Sequence, residues 1–212
     1  MLKPSPGLST LSAMLKLVPN ILTFARLGLA VVFLSIVLCS PQTEGRTWLL
    51  DVALTIFVIA GLTDIVDGIA ARRFNAASKF GRMVDPLVDK VLVCGAFICF
   101  AITGVPQLFG WGPVPLAVVH WSVAGILILR EAYVTILRHR AEARGINFAA
   151  VRSGKIKMFV QSFAIGTVLV KTAHVPEAAW GDWFTVVTFA VMIAITVISG
   201  LGATRRNRTI QT

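Results

Sequence analysis

Six runs of apolar residues dominate this 212-residue chain, at roughly 18–40, 48–71, 84–104, 114–137, 155–173 and 183–203. Each comes close to the 20 or so residues that a helix needs to cross the hydrocarbon core of a bilayer. No period-2 alternation runs through them, which argues against a β-barrel. Only 14% of the residues are charged, where a soluble domain carries about 25%. The chain therefore reads as an all-α, polytopic integral membrane bundle of six transmembrane helices.

These runs also set the organisation. Residues 1–17 form an N-terminal juxtamembrane segment, 18–204 the six-helix domain, and 205–212 a basic cytoplasmic tail. In the first segment Leu8, Leu11 and Leu15 fall at helical spacing, with Ser9 and Ser12 off the stripe. That pattern suits a short helix lying in the membrane interface and equally suits a plain tail. The first apolar run is too long for a signal-peptide core and reads as a retained helix. The three cysteines, Cys39, Cys94 and Cys99, lie in apolar runs and read as small buried hydrophobes. His120, His139 and His174 share no metal-ligand spacing.

Charge sets the orientation. Lys3 and Lys16 precede the first run, and Arg72, Arg73, Lys79 and Arg82 follow the second. Arg138, Arg140, Arg144 and Arg152 follow the fourth, with Lys155 and Lys157 opening the fifth. Arg205, Arg206 and Arg208 form the tail, and the opposite loops hold only Arg46 and Lys171. The positive-inside rule places both termini and the loops at 72–83 and 138–154 in the cytoplasm. The net charge of +10 thus belongs to one face, where it suits anionic lipid and phosphate ligands. It does not suggest nucleic acid, because the basic residues border membrane spans and carry no binding-fold signature.

Four of the ten acidic residues sit in one stretch, "GLTDIVDGIAARRFNAASKFGRMVDPLVDK" at 61–90. Asp64 and Asp67 are three apart at the end of the second run, and Asp85 and Asp89 four apart at the start of the third. Residues at those spacings share a helix face. Four carboxylates meeting near lipid must either protonate or bind cations. Oxygen ligands without His or Cys favour Mg²⁺, Mn²⁺ or Ca²⁺, and four carboxylates can bridge two such ions, an arrangement suited to displacement at phosphorus. Gly68, Ala71 and Gly81 leave room for a ligand beside the backbone, and Arg72 offers a fork for a phosphate oxygen. Taken singly, the small residues read as helix packing and Arg72 as a topology signal.

The combined spacing is Asp64-x2-Asp67-Gly68-x2-Ala71-Arg72-x8-Gly81-x3-Asp85-x3-Asp89. It resembles the full signature of the CDP-alcohol phosphotransferase family, with no departure at any fixed position. The resemblance implies transfer of a substituted phosphoryl group from a CDP-linked donor to an alcohol, with CMP leaving. It implies that Asp64, Asp67, Asp85 and Asp89 hold two Mg²⁺ or Mn²⁺ ions and that Asp89 also serves as general base. Asp67, Gly68, Ala71, Arg72 and Gly81 would contact the donor. The family also suggests a homodimer, and the expected setting is the inner membrane of a bacterial cell.

Within the family, "VPNILTFARL" (18–27), "DPLVDK" (85–90), "REAYVTILRHRAEARG" (130–145) and "SGKIKMFVQ" (153–161) are most like the phosphatidylglycerophosphate synthase branch. Met158 departs from it, where a small hydroxyl residue is expected. That branch implies CDP-diacylglycerol as donor and glycerol 3-phosphate as acceptor. A phosphate-bearing acceptor needs cations, and Arg130, Arg138, Lys155 and Lys157 are the candidates, with Glu131 a partner for Arg130. An ordinary structural ion pair with topology lysines is the bland alternative. Lys155 and Lys157 are about 200° apart on an ideal helix, so the two need not face one site. Asn20, Thr23 and Arg26 recur at helical spacing and suggest a first helix bordering the same cavity. Two rivals stand beside this reading: a cardiolipin synthase of the same family, accepting phosphatidylglycerol, and a cation or proton transporter with the aspartates on its path.

Overall fold

The computed structural model describes residues 24–40, 45–74, 79–144 and 152–209, with side chains outside 46, 64–86, 142, 152–155 and 206–209. Among them lie six helices and no strand. They are α1 (Phe24–Cys39), α2 (Arg46–Phe74), α3 (Lys79–Thr103), α4 (Pro113–Ala143), α5 (Arg152–His174) and α6 (Ala179–Thr209). Stretches of α4, α5 and α6, Pro113–Ala141, Ile156–His174 and Ala179–Arg205, are long and apolar enough to cross a membrane. Phe24–Cys39 and Thr47–Thr63 are shorter apolar stretches.

The helices overrun the apolar segments that predict them. Arg72 and Arg73 lie on the end of α2, and Lys79 and Arg82 on the start of α3. Of the loop expected at 72–83, residues 72–74 belong to α2 and 79–83 to α3. Arg138 and Arg140 likewise belong to α4, and α6 runs through the basic tail to Thr209. Arg and Lys are good helix formers, so a helix that leaves the apolar layer has no reason to stop there.

The chain packs as a bundle in which α5 touches α2, α3 and α6, while α4 touches α3 and α6. One apolar core joins the helices, built from Phe33, Leu50, Phe57, Phe97, Phe100, Leu127, Ile165, Leu169 and Met192 among others. Phe33 and Phe57 tie α1 to α2 with ring centroids 5.4 Å apart, and Phe97 and Phe189 tie α3 to α6 at 6.2 Å. A Cβ at Gly95 would stand 2.9 Å from a methyl of Leu34, so this glycine is what lets α1 seat against α3. The outward faces are also apolar: Leu129, Phe159, Val187 and Ile198 are exposed. A bundle apolar inside and out is dissolved in lipid rather than water, and the chain is an integral membrane protein. Cys99 is buried and Cys94 partly so, but Cys39 lies on the exterior, contrary to the expectation of three buried cysteines.

The two ends differ. At the end where α2 begins, the connections are tied down. Asp182 accepts a hydrogen bond from the Phe109 backbone N–H at 3.0 Å and pairs with Lys171 at 2.8 Å. Lys171 also donates to the Pro176 carbonyl at 2.6 Å. Lys171 is thus a buried residue of α5, not a loop cation. His174 and Asp51 meet at 2.7 Å, both about half exposed. Exposed Trp48, Trp111, Trp180 and Trp183 surround this end, as expected of an interfacial aromatic belt.

Candidate active site

The other, basic end carries the motif residues. Asp64, Asp67, Gly68, Ala71 and Arg72 all lie within the last turns of α2, and Gly81, Asp85 and Asp89 within the first turns of α3. The helical spacing assumed for each aspartate pair is therefore real at the level of the backbone. Of these eight residues only Asp89 has a described side chain. It is partly buried, and its Oδ1 lies 3.7 Å from Nη1 of Arg26 on α1. Arg26 is 1% exposed. A guanidinium that deep requires a carboxylate or another anion beside it, and α1 brings Arg26 to Asp89 of α3. Asn20 and Thr23 lie outside the described residues, as does the side chain of Lys155.

Polar contacts continue from Asp89 across the bundle. Lys90, its neighbour on α3, donates to Thr135 Oγ1 on α4 at 2.7 Å. One turn further from the basic end, Arg130 donates to Glu131 at 2.9 Å through one nitrogen and to Ser199 on α6 at 2.6 Å through another. Lys157 on α5 bonds the same Glu131 oxygen. All three charged side chains are largely buried. Of the two lysines opening the fifth helix, Lys157 is thus placed beside Arg130 and Glu131. Arg138 is exposed, two turns nearer the basic end of α4.

Two cations sharing one carboxylate leave the Arg130–Glu131–Lys157 group with more positive than negative charge in a low-dielectric region. The adjoining helix ends carry Asp64, Asp67, Asp85 and Asp89 and no His or Cys in sequence, a composition that would fit Mg²⁺ or Mn²⁺.

Residues 16–201 match the family model of the CDP-alcohol phosphatidyltransferases. The chain belongs to that family. Among curated relatives of this phosphatidyltransferase, a probable phosphatidylglycerophosphate synthase from Mycobacterium tuberculosis is 35% identical over 86% of the chain and 77% of its own length. A CDP-diacylglycerol–glycerol-3-phosphate 3-phosphatidyltransferase from Bacillus subtilis is 33% identical over 86% of the chain and 90% of its own. One of the same name from Salmonella choleraesuis is 30% identical, with 87% and 91% covered.

The sixth helix of the phosphatidyltransferase holds what sequence reasoning missed. Ser199 holds Arg130, Gly200 lies 3.5 Å from the Arg130 side chain at the position a Cβ would take, and Thr204 meets Tyr133 at 3.0 Å. In sequence this helix reads as generic. The available signal was a stripe of small and hydroxyl residues, Thr196, Ser199, Gly200 and Thr204, in an otherwise apolar run. Such stripes mark the faces on which membrane helices pack and hydrogen-bond.

Proposed function

We propose that the chain transfers the phosphatidyl group of CDP-diacylglycerol to glycerol 3-phosphate, giving phosphatidylglycerol phosphate and CMP. The observation that carries the acceptor is the buried pair of cations, Arg130 and Lys157, on the single carboxylate of Glu131. A phosphate monoester supplies the missing negative charge, whereas a neutral alcohol does not. The names of the relatives point to the same two substrates.

In this reading Asp64, Asp67, Asp85 and Asp89 hold two divalent ions, which when bound neutralise charge developing on the donor diphosphate. Gly68, Ala71 and Gly81 make room for the cytidine, and Arg72 donates to a phosphate oxygen. Arg130 and Lys157 hold the acceptor phosphate, with Arg138 and Lys155 nearer the basic end, and Asn20, Thr23 and Arg26 line the cavity. Asp89 takes the proton of the acceptor's primary hydroxyl. That oxygen attacks the phosphorus bearing diacylglycerol, and CMP departs. In this reading the chain has six spans, the site and both termini face the cytoplasm of a bacterial cell, as the bias of Arg and Lys toward one end supports, and the assembly is a homodimer.

The deciding experiment incubates purified protein with CDP-diacylglycerol, Mg²⁺ and one alcohol at a time, following CMP and identifying the lipid. Glycerol 3-phosphate should yield phosphatidylglycerol phosphate. Cardiolipin formed from phosphatidylglycerol instead would move the assignment to that branch, and no CMP with any alcohol would leave the transporter reading. For topology, a cysteine replacing Arg144 in a Cys-free background should label only from the cytoplasm, and one replacing Gly110 only from outside. Light scattering of the purified protein checks the dimer.

A further inference from the structure

Gln161 is 2% exposed, and its side-chain nitrogen has no hydrogen-bond partner. Thr196 is 0% exposed, and its hydroxyl likewise has none. The second case is unusual within this fold. The buried threonines Thr172, Thr185 and Thr188 each donate to the carbonyl four residues before them, at 2.7–2.8 Å. Buried polar groups in folded proteins are almost always paired, so these two side chains are arranged for something the polypeptide does not supply. Arg130 has the same property in part: two of its nitrogens are bonded, while its buried Nε is not.

Helix register brings the three groups to one region. Lys157 reaches Glu131 from α5, and Gln161, four residues on, shares its face. Ser199 reaches Arg130 from α6, and Thr196, three residues before it, shares its face. The α4, α5 and α6 helices pack together through α6. Gln161 and Thr196 therefore face the space around Arg130 and Glu131, each about one turn further from the basic end. The unpartnered atoms are an amide nitrogen, a guanidinium nitrogen and a hydroxyl, all able to donate. Such a set fits a ligand with acceptor oxygens and negative charge.

We propose that Gln161 and Thr196 form the deep wall of the acceptor-phosphate pocket, donating to phosphate oxygens that Arg130 and Lys157 hold from the other side. This deepens the acceptor assignment above and rests on it. Depth favours the phosphate over the acceptor's hydroxyls. The Lys90–Thr135 contact next to Asp89 lies one turn from Glu131 on the basic side, and Gln161 lies one turn beyond, so roughly 10 Å of helix separates them. The reacting hydroxyl belongs near Asp89 and the phosphate at the far end.

The test is two-substrate kinetics on wild type, Gln161→Met, Gln161→Glu and Thr196→Val, with glycerol 3-phosphate and CDP-diacylglycerol. Losing a hydrogen bond to a charged group should lower acceptor efficiency by about 10–150-fold in Gln161→Met. The loss should fall on the KM for glycerol 3-phosphate, with the KM for CDP-diacylglycerol unchanged. Thr196→Val should fall in the same way by a smaller factor. Gln161→Glu preserves shape but sets an acidic group against the phosphate, so it should fall further than Gln161→Met. A purely structural amide predicts the reverse order, with Glu the milder change and both KM values moving together; that result overturns the proposal. So does a Gln161→Met enzyme with an unchanged KM for glycerol 3-phosphate, while the proposed function stands. A wild type that does not use glycerol 3-phosphate overturns both.

Discussion

Two buried polar clusters hold this bundle together, and they are built on opposite plans. Near the start of α6, Lys171 meets one carboxylate, Asp182, and backbone groups of Phe109 and Pro176 complete the set. Charges there balance within the polypeptide. Nearer the basic end, Arg130 and Lys157 share Glu131, and donors on Arg130, Gln161 and Thr196 remain over. A cluster of this kind pins loops and helices with its charges paired within the polypeptide. An open cluster with surplus positive charge is stable only at some expense, which a ligand can offset. The two clusters differ in their balance of charge and donors, and the proposed function assigns the uneven one to recognition.

The sharpest test of that contrast lies beside the open cluster. Asp89→Asn keeps a possible ligand oxygen but removes the proton acceptor, and turnover should fall by about 10²–10⁴-fold while the protein remains folded. Chelation with EDTA should abolish activity, and Mg²⁺ or Mn²⁺ should restore it; full turnover in metal-free buffer would refute the two-ion reading. Next in size is a change at the closed cluster. Asp182→Asn leaves Lys171 buried without its counter-charge and should destabilise the protein by about 3–5 kcal/mol. Thermal unfolding in detergent should show this, with KM values unchanged at temperatures where the variant is folded. A kinetic effect there would erase the distinction between the clusters.

Smaller still is the loss of one phosphate contact. Arg130→Ala or Lys157→Ala should cost about 1.5–3 kcal/mol, on the order of 10–150-fold in kcat/KM for glycerol 3-phosphate. The KM for CDP-diacylglycerol should not move. Intact acceptor kinetics in a folded variant would return the triad to a structural ion pair. The smallest effect belongs to the half-exposed pair of His174 and Asp51. His174→Gln should change stability by about 0–1 kcal/mol, and a larger loss in a thermal melt would show that exposed pairs at this end matter more than their setting suggests.

Much of this was legible from composition and spacing, because lipid imposes long apolar helices and the motif is local. Asp64 through Arg72 and Gly81 through Asp89 each fit within a few turns of one helix, so their spacing reads directly as a shared face. Arg130 with Glu131 was legible for the same reason. Helix ends were less so: the apolar runs stop where hydrocarbon stops, but Arg72, Arg138 and Arg205 continue the helices beyond it. The share of α6 was not legible at all. Ser199 lies 69 residues from Arg130, and a serine in an apolar helix has no meaning until its partner is known. Gln161 closes the family-like stretch 153–161, but nothing local marks an amide as lacking a partner.

Lys157 meets Glu131 a full turn deeper than Lys90 meets Thr135. In the proposed reaction, a water-soluble acceptor that descends this far must shed its hydration shell. Only a molecule bringing charge for Arg130 and Lys157 to hold recovers that loss. Water brings none, yet water is the competing nucleophile for an activated diphosphate. In the proposed reaction the depth of the cluster would therefore select an acceptor that carries its own negative charge over water, which gains nothing by descending that far.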